Sequence, residues 1–235
     1  MRWWKFAGWG LLALILLGSF PFFNFYEEGR KALSEDPTVW EEDIARLETE
    51  ATGPPGSVLF VGSSSIRLWS GIHEDMAPIP VIQRGFGGAK INDVAHYADR
   101  LFAVDDPAAI VIFVGTNDMH PGSAKEPAVM LTSFMAIMKG LRQLHPEVPV
   151  YYIAITPSFM RRDTWPAQQE VNGVITRYAE GDPLLQVIDT APALMSAGEL
   201  VRENYIFDGL HLSKQGYAVW TSVIRPRLLA DLGFR

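Results

Sequence analysis

The chain has 235 residues, a formal net charge of −7 and no cysteine. The acidic balance, with no long lysine and arginine cluster, argues against a nucleic-acid partner, and the missing thiols exclude cysteine catalysis and disulfide bracing. A chain of this length is expected to form one domain with a substantial core.

The first segment differs from the rest. Residues 6–26 carry no charged side chain, and 21 residues at about 1.5 Å each would span roughly the 30 Å hydrocarbon thickness of a bilayer. Arg2 and Lys5 precede this stretch, and Trp3, Trp4, Phe22, Phe23, Phe25 and Tyr26 place aromatics at both ends, as in a membrane anchor. Residues 1–26 therefore read as an N-terminal transmembrane helix, or else as a signal sequence. Leu17-Gly18-Ser19 is a poor cleavage site, which favours the retained anchor. The expected topology leaves the N-terminus inside and exports the remaining chain to the periplasmic or extracellular side.

Residues 27–56 form a juxtamembrane segment. Asp36-Pro37 reads as a helix start, and Trp40, Ile44 and Leu47 recur on one face of a helix expected to end near Thr52. That apolar stripe suggests docking on the domain. Gly53-Pro54-Pro55-Gly56 then punctuates the entry to a domain over residues 57–235.

Within the domain, short apolar runs alternate with amphipathic segments. Val58–Val61, Val81–Gln83, Ala109–Val114, Val150–Ile155 and Gln186–Ile188 read as strands covered on both faces. Ser123-x-x-Glu126 reads as a capping box for a helix carrying Met130, Phe134, Ile137, Leu141 and Leu144. The last helix is expected to start at Ser213, to bury Tyr217, Trp220 and Ile224, and to kink at Pro226. Alternation of this kind implies a layered α/β domain around a parallel sheet. No three acids or histidines show metal-ligand spacing, and no glycine loop has a phosphate-binding pattern.

Ligands of such sheets bind past the carboxyl ends of the strands. Four segments lie there or before the last helix: Gly62-Ser63-Ser64-Ser65, Arg84-Gly85-Phe86-Gly87-Gly88, Gly115-Thr116-Asn117-Asp118 and Asp208-Gly209-Leu210-His211. Serine, imidazole and carboxylate are the parts of an activated nucleophile. Singly each block is weak; their order carries the information.

Together the four blocks resemble the SGNH family, also called GDSL-type esterases and lipases, over about residues 57–231. The resemblance implies a flavodoxin-like three-layer α/β/α sandwich with a five-stranded parallel sheet. It also implies Ser64 as nucleophile, Asp208 and His211 as its partners, and Gly88 and Asn117 as oxyanion donors. Ser63 departs from the usual aspartate, and Gln83 from the asparagine that often opens the second block. The implied activity is hydrolysis of small or medium acyl esters, such as carbohydrate O-acetyl groups or short-chain lipid esters, with no cofactor and no metal. An acyltransferase with the same triad and an inactive membrane-tethered binding protein are the alternatives. Arg84, Trp69 and Arg161 are candidate substrate-binding residues, with Arg67 and Trp165 behind them. Ser63, Ser65 and Asp189 read as turn or capping groups, Asp118 as a loop brace, and His73, His96, His120 and His145 as surface or capping residues.

Overall fold

The computed structural model describes residues 29–50 and 53–234. The expected anchor over residues 1–26 lies outside them, and among the described residues no helix is long and apolar enough to cross a membrane. Five strands form one parallel sheet: β1 (Val58–Gly62), β2 (Val81–Gly85), β3 (Ala109–Phe113), β4 (Val150–Ile153) and β5 (Leu185–Ile188), in the order β2-β1-β3-β4-β5. β1 lies between β2 and β3, with Gly62 beside both Gly85 and Phe113. The carboxyl ends of three strands are thereby level.

Alternate strand residues face opposite layers, as the pleat requires. Leu59, Val61, Ile110, Ile112 and Tyr152 pack with Ile91, Val94, Phe134, Ile137 and Val171 on one side. Val58, Phe60, Val111, Phe113 and Tyr151 pack with Ile66, Trp69, Tyr217 and Trp220 on the other. Helices thus cover both faces, which is why the strands are almost continuously apolar.

The segment before the sheet belongs to the same packing. Asp36 Oδ1 accepts from Thr38 N at 3.0 Å and starts a 3₁₀ turn over Pro37–Trp40, followed by helix α1 (Glu41–Thr49). This helix is shorter than expected, because Glu50 has already turned extended. Trp40, Ile44 and Leu47 are buried, and the Trp40 ring meets Phe86 edge-on at 5.4 Å. Burial of each such side chain contributes roughly 1.5–3 kcal/mol. The exposed Arg100 pairs with Glu41 and Glu48 add less.

Five more helical segments bear on the site: α2 (Ser64–Arg67), α3 (Ile91–His96), α4 (Ala98–Leu101), α5 (Pro127–Leu144) and α6 (Trp165–Ala179). The start of α5 corrects the sequence reading. Glu126, and not Ser123, is its N-cap residue, and Pro127 takes the first helical position, where a missing N–H loses nothing. The C-terminal helix α7 (Lys214–Leu232) begins as expected, with Ser213 Oγ accepting from Gly216 N at 3.2 Å. It runs on past Pro226 as one element.

Candidate active site

β1 ends where no side chain fits: a Cβ on Gly62 would stand 2.1 Å from the Phe113 carbonyl oxygen. Ser63 follows in extended conformation as the N-cap residue of α2, so Ser64 occupies the first helical position. Two distant side chains hold this turn. Gln83 Nε2 donates to the carbonyls of Ile66 and Trp69, and the Tyr217 hydroxyl donates to Ser65 O at 2.9 Å.

Folding brings His211 to Ser64 across 147 residues of sequence, with His211 Nε2 2.9 Å from Ser64 Oγ. On the other side of the ring, His211 Nδ1 lies 2.7 Å from Asp208 Oδ2. With the ring proton on Nδ1, the serine hydroxyl donates to Nε2 and Nδ1–H donates to the carboxylate. Asp208 Oδ1 accepts from the backbone amides of Leu210 and His211 at 2.8 and 3.0 Å. Partial burial pulls the Asp208 carboxyl upward, but the His211 hydrogen bond and the two amides outweigh it and hold the group below its ordinary value. An ionised carboxylate therefore fixes the imidazole and would stabilise it when protonated.

The third block enters through Gly115 at φ +118°, followed by a 3₁₀ turn over Thr116–Asp118. An asparagine amide carries two N–H donors. One of them bonds Ala89 O at 3.0 Å, and Asn117 lines the cavity shared with Ser64 and His211. Asp118 braces the loops, as read from the sequence: it accepts from Ile91 N at 2.8 Å and pairs with Lys125 at 2.9 Å.

Gly88 stands beside this arrangement and not within the cavity wall. Its φ of +75° disfavours any side chain, and a Cβ would lie 2.6 Å from the Ala32 methyl. It directly precedes Ala89, whose carbonyl Asn117 holds. The second and third blocks are joined there.

The substrate-lining candidates separate. Trp69 is a core residue: it stacks on Tyr217 at 5.2 Å, meets Trp220 at 5.8 Å, and donates to Asp75 at 2.6 Å. Arg84 is also buried, its Nη1 donating to the carbonyls of Arg100, Leu101 and Ala103 at the end of α4. Neither lines the cavity; both serve the packing behind it. Arg161 does not line the cavity itself but lies in the loop after β4, where its backbone N–H bonds Ser158 Oγ, part of the cavity wall, at 3.2 Å. Asp189 caps its own turn by accepting from Ala191 N at 2.9 Å, and His145 Nε2 lies 2.8 Å from Phe102 O just after α5.

The cavity beside Ser64 has a volume of about 10 Å³, and its wall includes Thr116, Thr156, Ser158 and Leu210, which sequence reasoning had not singled out. Thr156 and Ser158 follow the fourth strand, where the same rule about strand ends points. In the sequence Gln83 registers only as a departure from the usual asparagine. Its hold on the turn at Ser64 depends on β2 lying beside β1.

Residues 51–219 match the GDSL-like Lipase/Acylhydrolase family. The chain is 24% identical over 198 residues to the platelet-activating factor acetylhydrolase IB subunit alpha1 of Rattus norvegicus, covering 81% of this chain and 82% of that protein. Among solved structures it resembles a GDSL-like lipase from Bacteroides thetaiotaomicron, with a TM-score of 0.65 and 19% identity over 83% of this chain and 100% of that one. A carbohydrate esterase family 3 protein from Talaromyces cellulolyticus gives a TM-score of 0.59 and 17% identity over 75% and 98%. The chain belongs to the GDSL-like lipase and acylhydrolase family of serine hydrolases.

Proposed function

We propose that this protein is an esterase that removes small acyl groups, acetyl foremost, through an acyl-enzyme on Ser64. The observation that carries this reading is the continuous link from Ser64 Oγ to His211 to Asp208 at 2.9 and 2.7 Å. In the reaction, His211 Nε2 takes the Ser64 proton as Oγ bonds to the ester carbonyl carbon. The oxyanion that forms would face the Asn117 amide and the Ser64 backbone N–H, both of which line the cavity; Gly88, expected from the sequence as a third donor, stands outside that wall. His211 then returns the proton to the departing alkoxide, and water attacks the acyl-enzyme by the same path. These steps use only the chain's own groups and water.

Acyl size follows from space. About 10 Å³ beside the nucleophile is room for roughly one water-sized group, which suits a methyl better than a chain. The rat relative is named an acetylhydrolase, which favours a short acyl group, and the Talaromyces cellulolyticus protein a carbohydrate esterase, which favours a carbohydrate alcohol. We place the enzyme at a membrane through residues 1–26, with the domain exported. Deleting those residues should move the protein into the soluble fraction, and unchanged membrane association would remove the anchor from the reading.

Labelling with a fluorophosphonate followed by peptide mapping tests the nucleophile: Ser64 should carry the probe, and modification of Ser65 instead would overturn the assignment. Turnover should fall steeply from 4-nitrophenyl acetate to the octanoate. A preference for the octanoate would remove the small-acyl reading.

A further inference from the structure

We propose that Arg161 forms an anion-binding subsite beside the catalytic serine, so that the preferred esters carry a carboxylate or phosphate on the alcohol portion. This inference rests on the esterase reading above and names the substrate class of the same site.

Three cationic side chains are buried among the described residues: Arg84, Lys90 and Arg161. Arg84 meets three carbonyls, and Lys90 meets Glu35 at 2.5 Å and Ser34 O at 2.7 Å. Arg161 is only 3% exposed, yet its side chain has neither an acid nor a carbonyl partner, and its Nε is buried without an acceptor. Burying an ionised guanidinium without compensation is strongly unfavourable. Burial alone pushes its pKa down, whereas at Arg84 the charges of Glu48 and Glu50 work against burial.

The place is as informative as the lack of a partner. Ser158, which bonds the Arg161 backbone, lines the cavity of Ser64. Met160 N donates to Gly209 O at 3.1 Å, clamping the arginine's loop onto the loop of Asp208 and His211. Arg162 lies 5.5 Å from the Phe159 ring and forms no ion pair among the described residues, whereas Arg202, 5.6 Å from the same ring, donates to the carbonyls of Tyr205, Ile206 and Phe207. Arg161 and Arg162 are adjacent and without an acid partner among the described residues, and in a chain of net charge −7 such a pair would draw an anion. Gln168 Oε1 is buried and unpartnered too, and its amide bonds Arg161 O. A water bridging Gln168 and Arg161 Nε would satisfy both atoms but leave the charge uncompensated. On the small-acyl reading the space of about 10 Å³ beside Ser64 is taken by the acyl group, so the anion is assigned to the alcohol portion. A planar guanidinium suits either oxyanion.

The test compares kcat/KM for 4-nitrophenyl acetate, 4-acetoxybenzoate and the acetyl ester of 4-hydroxyphenyl phosphate. Arg161→Gln should lower the ratio of anionic to neutral ester by roughly 10- to 100-fold, the scale of one charge-assisted contact, and Arg161→Lys should recover part of it. The ester with the larger drop identifies carboxylate or phosphate as the natural anion. An equal loss on all three esters would reduce Arg161 to a structural role and overturn the subsite.

Should Arg161→Gln fail to fold, the unaltered protein still decides. 4-Hydroxybenzoate or 4-hydroxyphenyl phosphate should inhibit at least tenfold more tightly than 4-hydroxybenzamide, and equal inhibition rejects the proposal. Ser64 labelling with no anion preference sinks this inference alone. Neither labelling nor turnover of any ester sinks the esterase reading and takes the subsite with it.

Discussion

Asp208 and Asp93 both lie past the carboxyl ends of the strands, and their surroundings drive them in opposite directions. Asp208 sits at the open rim, where a histidine and two backbone amides keep it ionised. Asp93 lies behind the loops of Gly88 and Asn117, and burial together with the charge of Asp118 pushes it up to about 6, against the hydrogen bonds from the Lys90 amide and the Trp40 indole. Its neighbour Asp118 is raised by burial as well, against the pull of Lys125. At the rim a carboxylate serves by its charge. In the interior it serves by accepting, pinning the amides of Lys90 and Ile91 and so the loop that bears Gly88.

The largest expected effect tests the rim. Asp208→Asn should lower kcat on 4-nitrophenyl acetate by roughly 10⁴-fold, about 5 kcal/mol, because an amide cannot hold the imidazole tautomer or its positive charge. A variant retaining more than a tenth of the rate would break the contrast between the two acids. Asn117→Ala should lower kcat by roughly 10²- to 10³-fold with KM little changed. A raised KM at constant kcat would show that the amide binds ground state and transition state alike.

The interior acid is read through stability. From its ordinary 3.8 to about 6 in the folded protein, only the folded state keeps the Asp93 proton, so stability falls as pH rises through that window. The loss is at most about 3 kcal/mol at 1.36 kcal/mol per pKa unit. Relative to the parent, Asp93→Asn should therefore gain stability between pH 4 and pH 6 in urea unfolding. A constant difference across that range would show that Asp93 does not titrate there. The smallest effect belongs to Gln83→Leu, which should cost about 1 kcal/mol of stability by freeing the end of α2. No change would detach Gln83 from the nucleophile turn.

The legible parts were local. Strand identity followed from apolar runs, the Asp36 and Ser213 caps from turn chemistry, and the four blocks from their order after strands. The start of α5 was misread because a capping box and a first-turn proline compete within four residues, and Pro127 prevailed. Trp69 and Arg84 were misread because tryptophan and arginine beside a glycine-rich loop suit a substrate groove and a packed interior equally well.

Periodicity and turn preference, which depend on near neighbours, were enough for the layered α/β class, and the four ordered blocks carried the family resemblance that implies roles for Ser64, His211 and Asp208. Only the tertiary structure decided which cations have partners, which glutamine steadies the turn at Ser64, and that Trp40 donates to an acid 53 residues away. Burial and charge compensation depend on groups brought together in space by the whole fold, and although Asp208 and His211 share one short block, Trp40 and Asp93 or Gln83 and Ile66 do not.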